Sequence, residues 1–220
     1  MNCSPVFKTI IFLQVMCSAF AQKAIPINIQ KEVKGKNTYV INRDIEFINE
    51  PSHRGIRLDA RYGDGIVWLK NMAFRNGSIE FDVRGKDIKQ HSFVGIAFHG
   101  EDTLTYEAIY LRPFNFKAET EPFKSRAIQY IARPDYRWQV LREEFSGKYE
   151  KPINPPPDPN AWIKVRVVVQ GNTISAYIND NKDPSLVVES LGALKSGSIG
   201  FFVADTSGGD FANLVITKTD

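Results

Sequence analysis

Residues 161–180 read AWIKVRVVVQGNTISAYIND, and this stretch decides the fold class. Ile163, Val165, Val167 and Val169 alternate with Lys164 and Arg166. A period of two buries one face of a strand and leaves the other in water. Ile174, Ala176 and Ile178 repeat the pattern after Gly171-Asn172, a dipeptide that suits a two-residue hairpin turn. The segment is a β-hairpin, and most of the chain is written in the same way. Short alternating runs bounded by Gly, Asn, Asp or Pro predict strands at Thr38–Ile41, Ile45–Ile48, Ile56–Ala60, Gly65–Lys70, Ser78–Val83, Ser92–His99, Tyr106–Arg112 and Ala127–Ala132. After the hairpin come Leu186–Val188, Ser198–Val203 and Phe211–Lys218. Only Tyr136–Phe145 suggests a helix. So many strands in one domain-sized chain predict an all-β, two-sheet antiparallel jelly-roll sandwich.

The first 21 residues stand apart. Lys8 precedes the mostly apolar run Thr9–Met16, and Ala19-Phe20-Ala21 is a small-x-small cleavage signal. This predicts a signal peptide over residues 1–21, a single domain over 22–220, and a secreted or periplasmic protein. The run is too short to span a bilayer, which takes about 20 residues. Lipidation at Cys17 is disfavoured because Met16 stands where a small residue is needed. Both cysteines, Cys3 and Cys17, precede the cleavage point, so the remaining chain folds without disulfides. Removing Lys8 takes one of 28 basic residues against 25 acidic ones, a balance with no case for nucleic acid. No later segment is apolar for long enough to insert in a membrane.

Strand alternation also assigns faces. Ser78–Val83 sends Ile79, Phe81 and Val83 to the core and Glu80 and Asp82 to the other side. Ser92–His99 buries Val94, Ile96 and Phe98, opposite Phe93, Gly95, Ala97 and His99. Tyr106–Arg112 buries Ile109 and Leu111, with Glu107 in line, opposite Tyr106, Ala108, Tyr110 and Arg112. If these strands and Ala127–Ala132 are neighbours, Gly95, Ala97 and Ala108 leave space above a concave face. Tyr106, Tyr110, His99, Arg112, Glu80, Asp82 and Gln129 would rim that space. Rings that stack on sugar C–H faces and planar groups that bond hydroxyls describe a carbohydrate cleft. The alternative is a second layer packed on the sheet. Residues 133–161 form a connection longer than the ~12–15 residues usual in compact domains. It carries Tyr136, Trp138, Phe145 and Tyr149 and ends in Pro155-Pro156-Pro157. It either walls the cleft, with Trp138 on the sugar, or wraps the sandwich edge.

The hairpin at 161–180, with Gly197-Ser198-Ile199-Gly200-Phe201 and Phe211-Ala212-Asn213-Leu214-Val215-Ile216, resembles the closing strands of concanavalin A-like lectin/glucanase (laminin G-like) sandwiches. Together with Gly77-Ser78-Ile79-Glu80-Phe81-Asp82-Val83, the wording is similar to the bacterial secreted branch of three-keto-disaccharide hydrolases and glycoside hydrolase family 16-like proteins. The resemblance implies an exported carbohydrate-active protein that binds, and as an enzyme would hydrolyse, a glycan or glycoside. Its alternatives are a non-catalytic carbohydrate-recognition module and a laminin G-like adhesion domain. The family 16 pattern Glu-x-Asp-x-x-Glu begins at Glu80 and Asp82, the candidate catalytic pair, but Gly85 replaces its last glutamate. A retaining glycosidase needs two carboxyl groups about 5 Å apart.

His53, His91 and His99 have no metal spacing. No phosphate loop, nucleophile elbow or dinucleotide motif occurs, and no cofactor is expected. Asp205-Thr206-Ser207-Gly208-Gly209-Asp210 is either a plain turn or an oxygen-rich loop in which Asp205 and Asp210 hold a structural calcium.

Overall fold

The protein is described from a computed structural model over residues 23–219, and the expected signal segment lies outside them. Two antiparallel sheets form the sandwich. The back sheet runs β13 (Leu186–Glu189), β12 (Thr173–Ile178), β11 (Ile163–Gln170), β6 (Asn76–Arg84), β15 (Gly209–Thr219), β4 (His53–Leu58) and β3 (Ile45–Glu50), with β1 (Ala24–Pro26) also on β15. The cleft sheet runs β10 (Glu150–Lys151), β9 (Ile128–Arg133), β8 (Tyr106–Leu111), β7 (Val94–Gly100), β14 (Ser198–Val203), β5 (Gly65–Leu69) and β2 (Thr38–Ile41). Two short helices, α1 (Ile29–Lys34) and α2 (Trp138–Glu144), lie outside the sheets. All thirteen strands expected from alternation are present, and α2 falls within Tyr136–Phe145. Alternation missed β1, β10 and α1, which are too short to show a period.

The inner faces meet through large apolar side chains. Phe81 of β6 packs edge-on to Phe201 of β14, and Phe201 lies 4.8 Å from Phe211 of β15. Register then fixes the rest of the inner layer. Phe201 is beside Ile96, Ile96 beside Ile109, and Ile109 beside Tyr130. The hairpin of residues 161–180 closes with Gln170 opposite Thr173, and Gly171 at its tip takes φ +59°.

Strand β6 is where the sequence expectation needs correction. Of the four strands whose adjacency the concave-face reading requires, β6 lies between β11 and β15 in the back sheet, while β7, β8 and β9 adjoin one another in the other. Glu80 and Asp82 therefore face outward on the opposite side of the sandwich from Tyr110 and Arg112. Arg166 and Lys164 of β11 are their register partners. Asp82 accepts a hydrogen bond from Asn213 Nδ2 at 2.6 Å and lies 3.3 Å from His53 Nε2.

His99 also departs from its expected face. Ser198 pairs with Gly100, and Gly200 with Ala97, so Phe98 and His99 together oppose Ile199. This β-bulge resets the alternation by one residue. His99 takes φ +50° and turns inward to Glu107, which alternation placed correctly in the core. His99 Nδ1 lies 2.7 Å from Glu107 Oε1, and Nε2 lies 2.9 Å from the Arg75 carbonyl. Tyr130 donates to the other Glu107 oxygen and accepts from the Leu191 N–H at 2.8 Å. Burial opposes the Glu107 charge, yet the His99 and Tyr130 bonds outweigh it and hold the carboxyl below its ordinary value of 4.5. Burial, and then the Glu107 charge, push the Tyr130 phenol up.

Two outcomes follow from this packing. A Cβ on Gly77, where φ is +127°, would lie 1.8 Å from the Thr217 carbonyl oxygen of β15. Chemical denaturation of Gly77→Ala is expected to show a loss of about 3 kcal/mol or more, since strand separation or strain must accommodate the methyl group. Glu107→Gln is expected to lose about 3 kcal/mol at neutral pH by leaving a buried charge network incomplete. The Glu107 pKa is depressed in the folded state, so its contribution is complete above the unfolded value and disappears as pH falls through the folded one. The stability gap between wild type and variant should therefore narrow on acidification from about pH 4.5, and a gap unchanged by acid would refute the account.

Candidate functional site

The outer face of the cleft sheet starts as a floor of small residues. Gly95, Ala97 and Ala108 lie at its centre, where β7 meets β8. Sequence reading left space above them, but rings from the same layer occupy it. Trp68 and Tyr106 meet edge to face at 6.0 Å, and Phe202 lies 6.0 Å from Tyr106 and 5.8 Å from Tyr110. Ala97 and Ala108 are fully buried in consequence, and Tyr106 is 2% exposed. Tyr106 is thus part of the covering layer rather than the cleft rim.

Open space begins beyond Tyr110, towards β9. A cleft of about 590 Å³ lies there. Tyr110, Arg112, Ile131, Arg133 and Phe202 contribute from or beside the sheet. Phe114, Asn115, Phe123 and Arg126 come from the β8–β9 connection, and Gln90 and Phe93 from the segment before β7. Arg137, Trp138, Gln139 and Arg142 form a wall, and Asp64, Ala204, Asp205 and Thr206 form the opposite rim. The long 133–161 connection therefore does wall a cleft: α2 supplies three of those wall residues, and β10 ties the connection back to the sheet.

A buried polar network fixes the cleft base. Arg112 Nη2 donates to Tyr110 Oη at 2.8 Å and to Gln129 Oε1 at 2.9 Å. Gln129 is fully buried and donates to the carbonyls of Tyr130 and Tyr149. It orients Arg112 from below and does not line the cleft. Glu150 accepts from Arg126 Nε at 3.1 Å and Arg142 Nη2 at 2.8 Å, with Arg112 Nη1 3.5 Å away. Burial pulls the Arg112 guanidinium below its ordinary value and pushes the Tyr110 phenol up. Arginine nevertheless stays charged in proteins. The rim is stitched by Arg43, which is buried and donates to the carbonyls of Asn42, Gly63, Ala204 and Ser207.

The structure brings Tyr110, Arg112 and Trp138 of the expected binding residues together at the cleft, and Asp205 joins them. Gln129 lies beneath, Tyr106 lies in the covering layer, His99 points inward, and Glu80 and Asp82 occupy the other sheet. Asp205 and Asp210 each have protein partners of their own. Asp210 receives Arg57 at 2.7 Å and Arg84 at 2.7 Å, while Asp205 accepts from the Gly63 N–H at 2.6 Å. Among the described residues, no three His, Cys, Asp or Glu side chains gather as a metal site. Sequence reading missed Arg126, Arg133, Arg137 and Arg142. Their signal was a high density of arginine between residues 126 and 142, running into the expected wall.

No family model matches the chain, and no curated protein matches its sequence. Its fold is similar to that of carbohydrate-binding module CBM66 from Bacillus subtilis, with a TM-score of 0.60 at 13% identity over 82% of this chain and 95% of that one. A Bacillus subtilis protein of unknown function with a galectin-like fold gives a TM-score of 0.56 at 13% identity over 89% and 94% of the two chains. The exoplasmic/lumenal domain of VIP36, bound to Ca2+ and Man3GlcNAc, gives 0.52 at 14% identity over 84% and 85%. The architecture is thus an all-β, two-sheet antiparallel jelly-roll sandwich, similar in fold to these proteins.

Proposed function

We propose that this protein binds a glycan in the cleft between Tyr110 and Trp138. The observation that carries the proposal is the composition of that cleft. Exposed or half-buried rings from three segments, Phe93, Phe114 with Phe123, and Trp138, surround fixed guanidinium donors. Rings match the apolar faces of a pyranose or furanose, and planar donors match its hydroxyls. Carbohydrate-binding module CBM66 and the Man3GlcNAc-bound domain of VIP36, which share the fold, support this choice of ligand class.

Recognition is favoured over hydrolysis by the placement of carboxylates. Glu80 and Asp82 are remote from the cleft. The acids that do line it, Asp64 and Asp205, already accept from backbone N–H groups, of Asp205 at 3.1 Å and of Gly63 at 2.6 Å. They serve as rim supports in this reading.

Trp138 provides the test because it is 42% exposed and little of the core depends on it. In Trp138→Ala, affinity for glycans captured by the wild type on a broad array is expected to fall about tenfold or more. The melting temperature should hardly change. Equal binding by both proteins would remove the cleft from the proposal, and turnover of a glycoside panel by the wild type would replace recognition with catalysis.

A further inference from the structure

We infer that the ligand of this cleft is an acidic glycan, one whose sugar carries an oxyanion such as a uronate carboxylate or a sulfate ester. The inference rests on the glycan-binding reading and adds the charge of the sugar. Five guanidinium groups line the cleft, those of Arg112, Arg126, Arg133, Arg137 and Arg142. Three carboxylates answer them, Asp64 and Asp205 on the rim and Glu150 behind the base. Two positive charges are left over, in a chain whose whole formal charge is only +3. Like charges gathered in a partly desolvated cleft repel, and this works against the folded state. Such local conflicts in a native structure concentrate at functional sites.

The unanswered charge has a location. Glu150 engages Arg112, Arg126 and Arg142 and holds that group in place. Arg133 and Arg137 have no comparable partner among the described residues. Arg133 Nε is buried without a hydrogen bond, and its Nη1 is 4.0 Å from Asp64. Arg137 is exposed, and its one hydrogen bond is a long one of 3.4 Å to the Pro134 carbonyl. An oxyanion between these two arginines would receive the paired, planar donors that guanidinium groups offer to carboxylates and sulfates. Trp138, next to Arg137 in sequence, sets a ring at the same wall. One sugar could then stack through its ring and be held by its charge.

The test is a glycan array carrying neutral, uronic-acid and sulfate-ester oligosaccharides of matched backbone, probed with the intact protein at low and high salt. Wild type is expected to prefer acidic members by about tenfold or more, with the preference collapsing at high salt. The uronate and sulfate arms identify which oxyanion is taken. In Arg137→Gln, a change at an exposed position, the acid-over-neutral preference should fall about tenfold. Arg133→Gln should act in the same direction, and Arg137→Lys should restore part of the preference. Equal, salt-insensitive binding of neutral and acidic members would overturn the acidic-ligand inference and leave glycan binding standing. Failure to bind any member would remove both.

Discussion

Glu150 is the interaction on which the site depends. One buried carboxylate, carried by the two-residue strand β10, draws in guanidinium groups from three separate stretches of chain. Arg112 follows β8, Arg126 precedes β9, and Arg142 lies on α2. A carboxylate offers about four acceptor positions, enough to satisfy several donors from different directions. Removing it would leave three cations facing one another with little water to screen them. The cleft base, its side and its wall are therefore held by a single anion rather than by apolar packing alone.

The architecture works by dividing labour between the two faces of one sheet. Inward residues of β7, β8 and β9 join those of β6, β11 and β15 in one apolar core and make the sandwich. Outward residues of the same strands carry first a layer of rings over small residues, then the polar network, then the open cleft. Each layer is rigid because the one beneath it is close-packed. Arg112 illustrates the order: Gln129 fixes it from below, Tyr110 from the side, and only its remaining surface reaches the cleft. A rotamer-rich side chain is thus ordered before any ligand arrives, which lowers the entropy lost on binding.

Strands were legible in the sequence because a half-buried strand must alternate, and alternation is a local property. Which strands share a sheet was not legible. The partners of β6 are β11 and β15, far along the chain, and no local pattern in residues 76–84 announces them. That one fact moved Glu80 and Asp82 to the wrong side. His99 was lost to a bulge whose extra residue is visible only against Ile199 on the partner strand. That Tyr110 and Arg112 line the cleft was legible because polar and aromatic residues alternating with Ile109 and Leu111 are abnormal on a solvated face. The place of Trp138 at the cleft wall was legible because a large ring in an overlong connection needs a reason to be there. The arginine excess escaped notice because net charge is a sum over the whole chain. Acids elsewhere, such as Asp210 between Arg57 and Arg84, balance the total without entering the cleft.

The α2 wall has a consequence for motion. A seven-residue helix is far too short to persist by itself, as isolated helices need roughly 12–15 residues even with favourable sequences. Its anchors are the buried Leu141, the Arg142–Glu150 pair and the two-residue ladder of β10 on β9. Among the layers of the cleft, this wall stands at the low end of the free-energy scale for local opening. A ligand touching both Trp138 and the sheet would raise that opening free energy in proportion to the logarithm of its concentration. Binding would then register as slower amide exchange along α2.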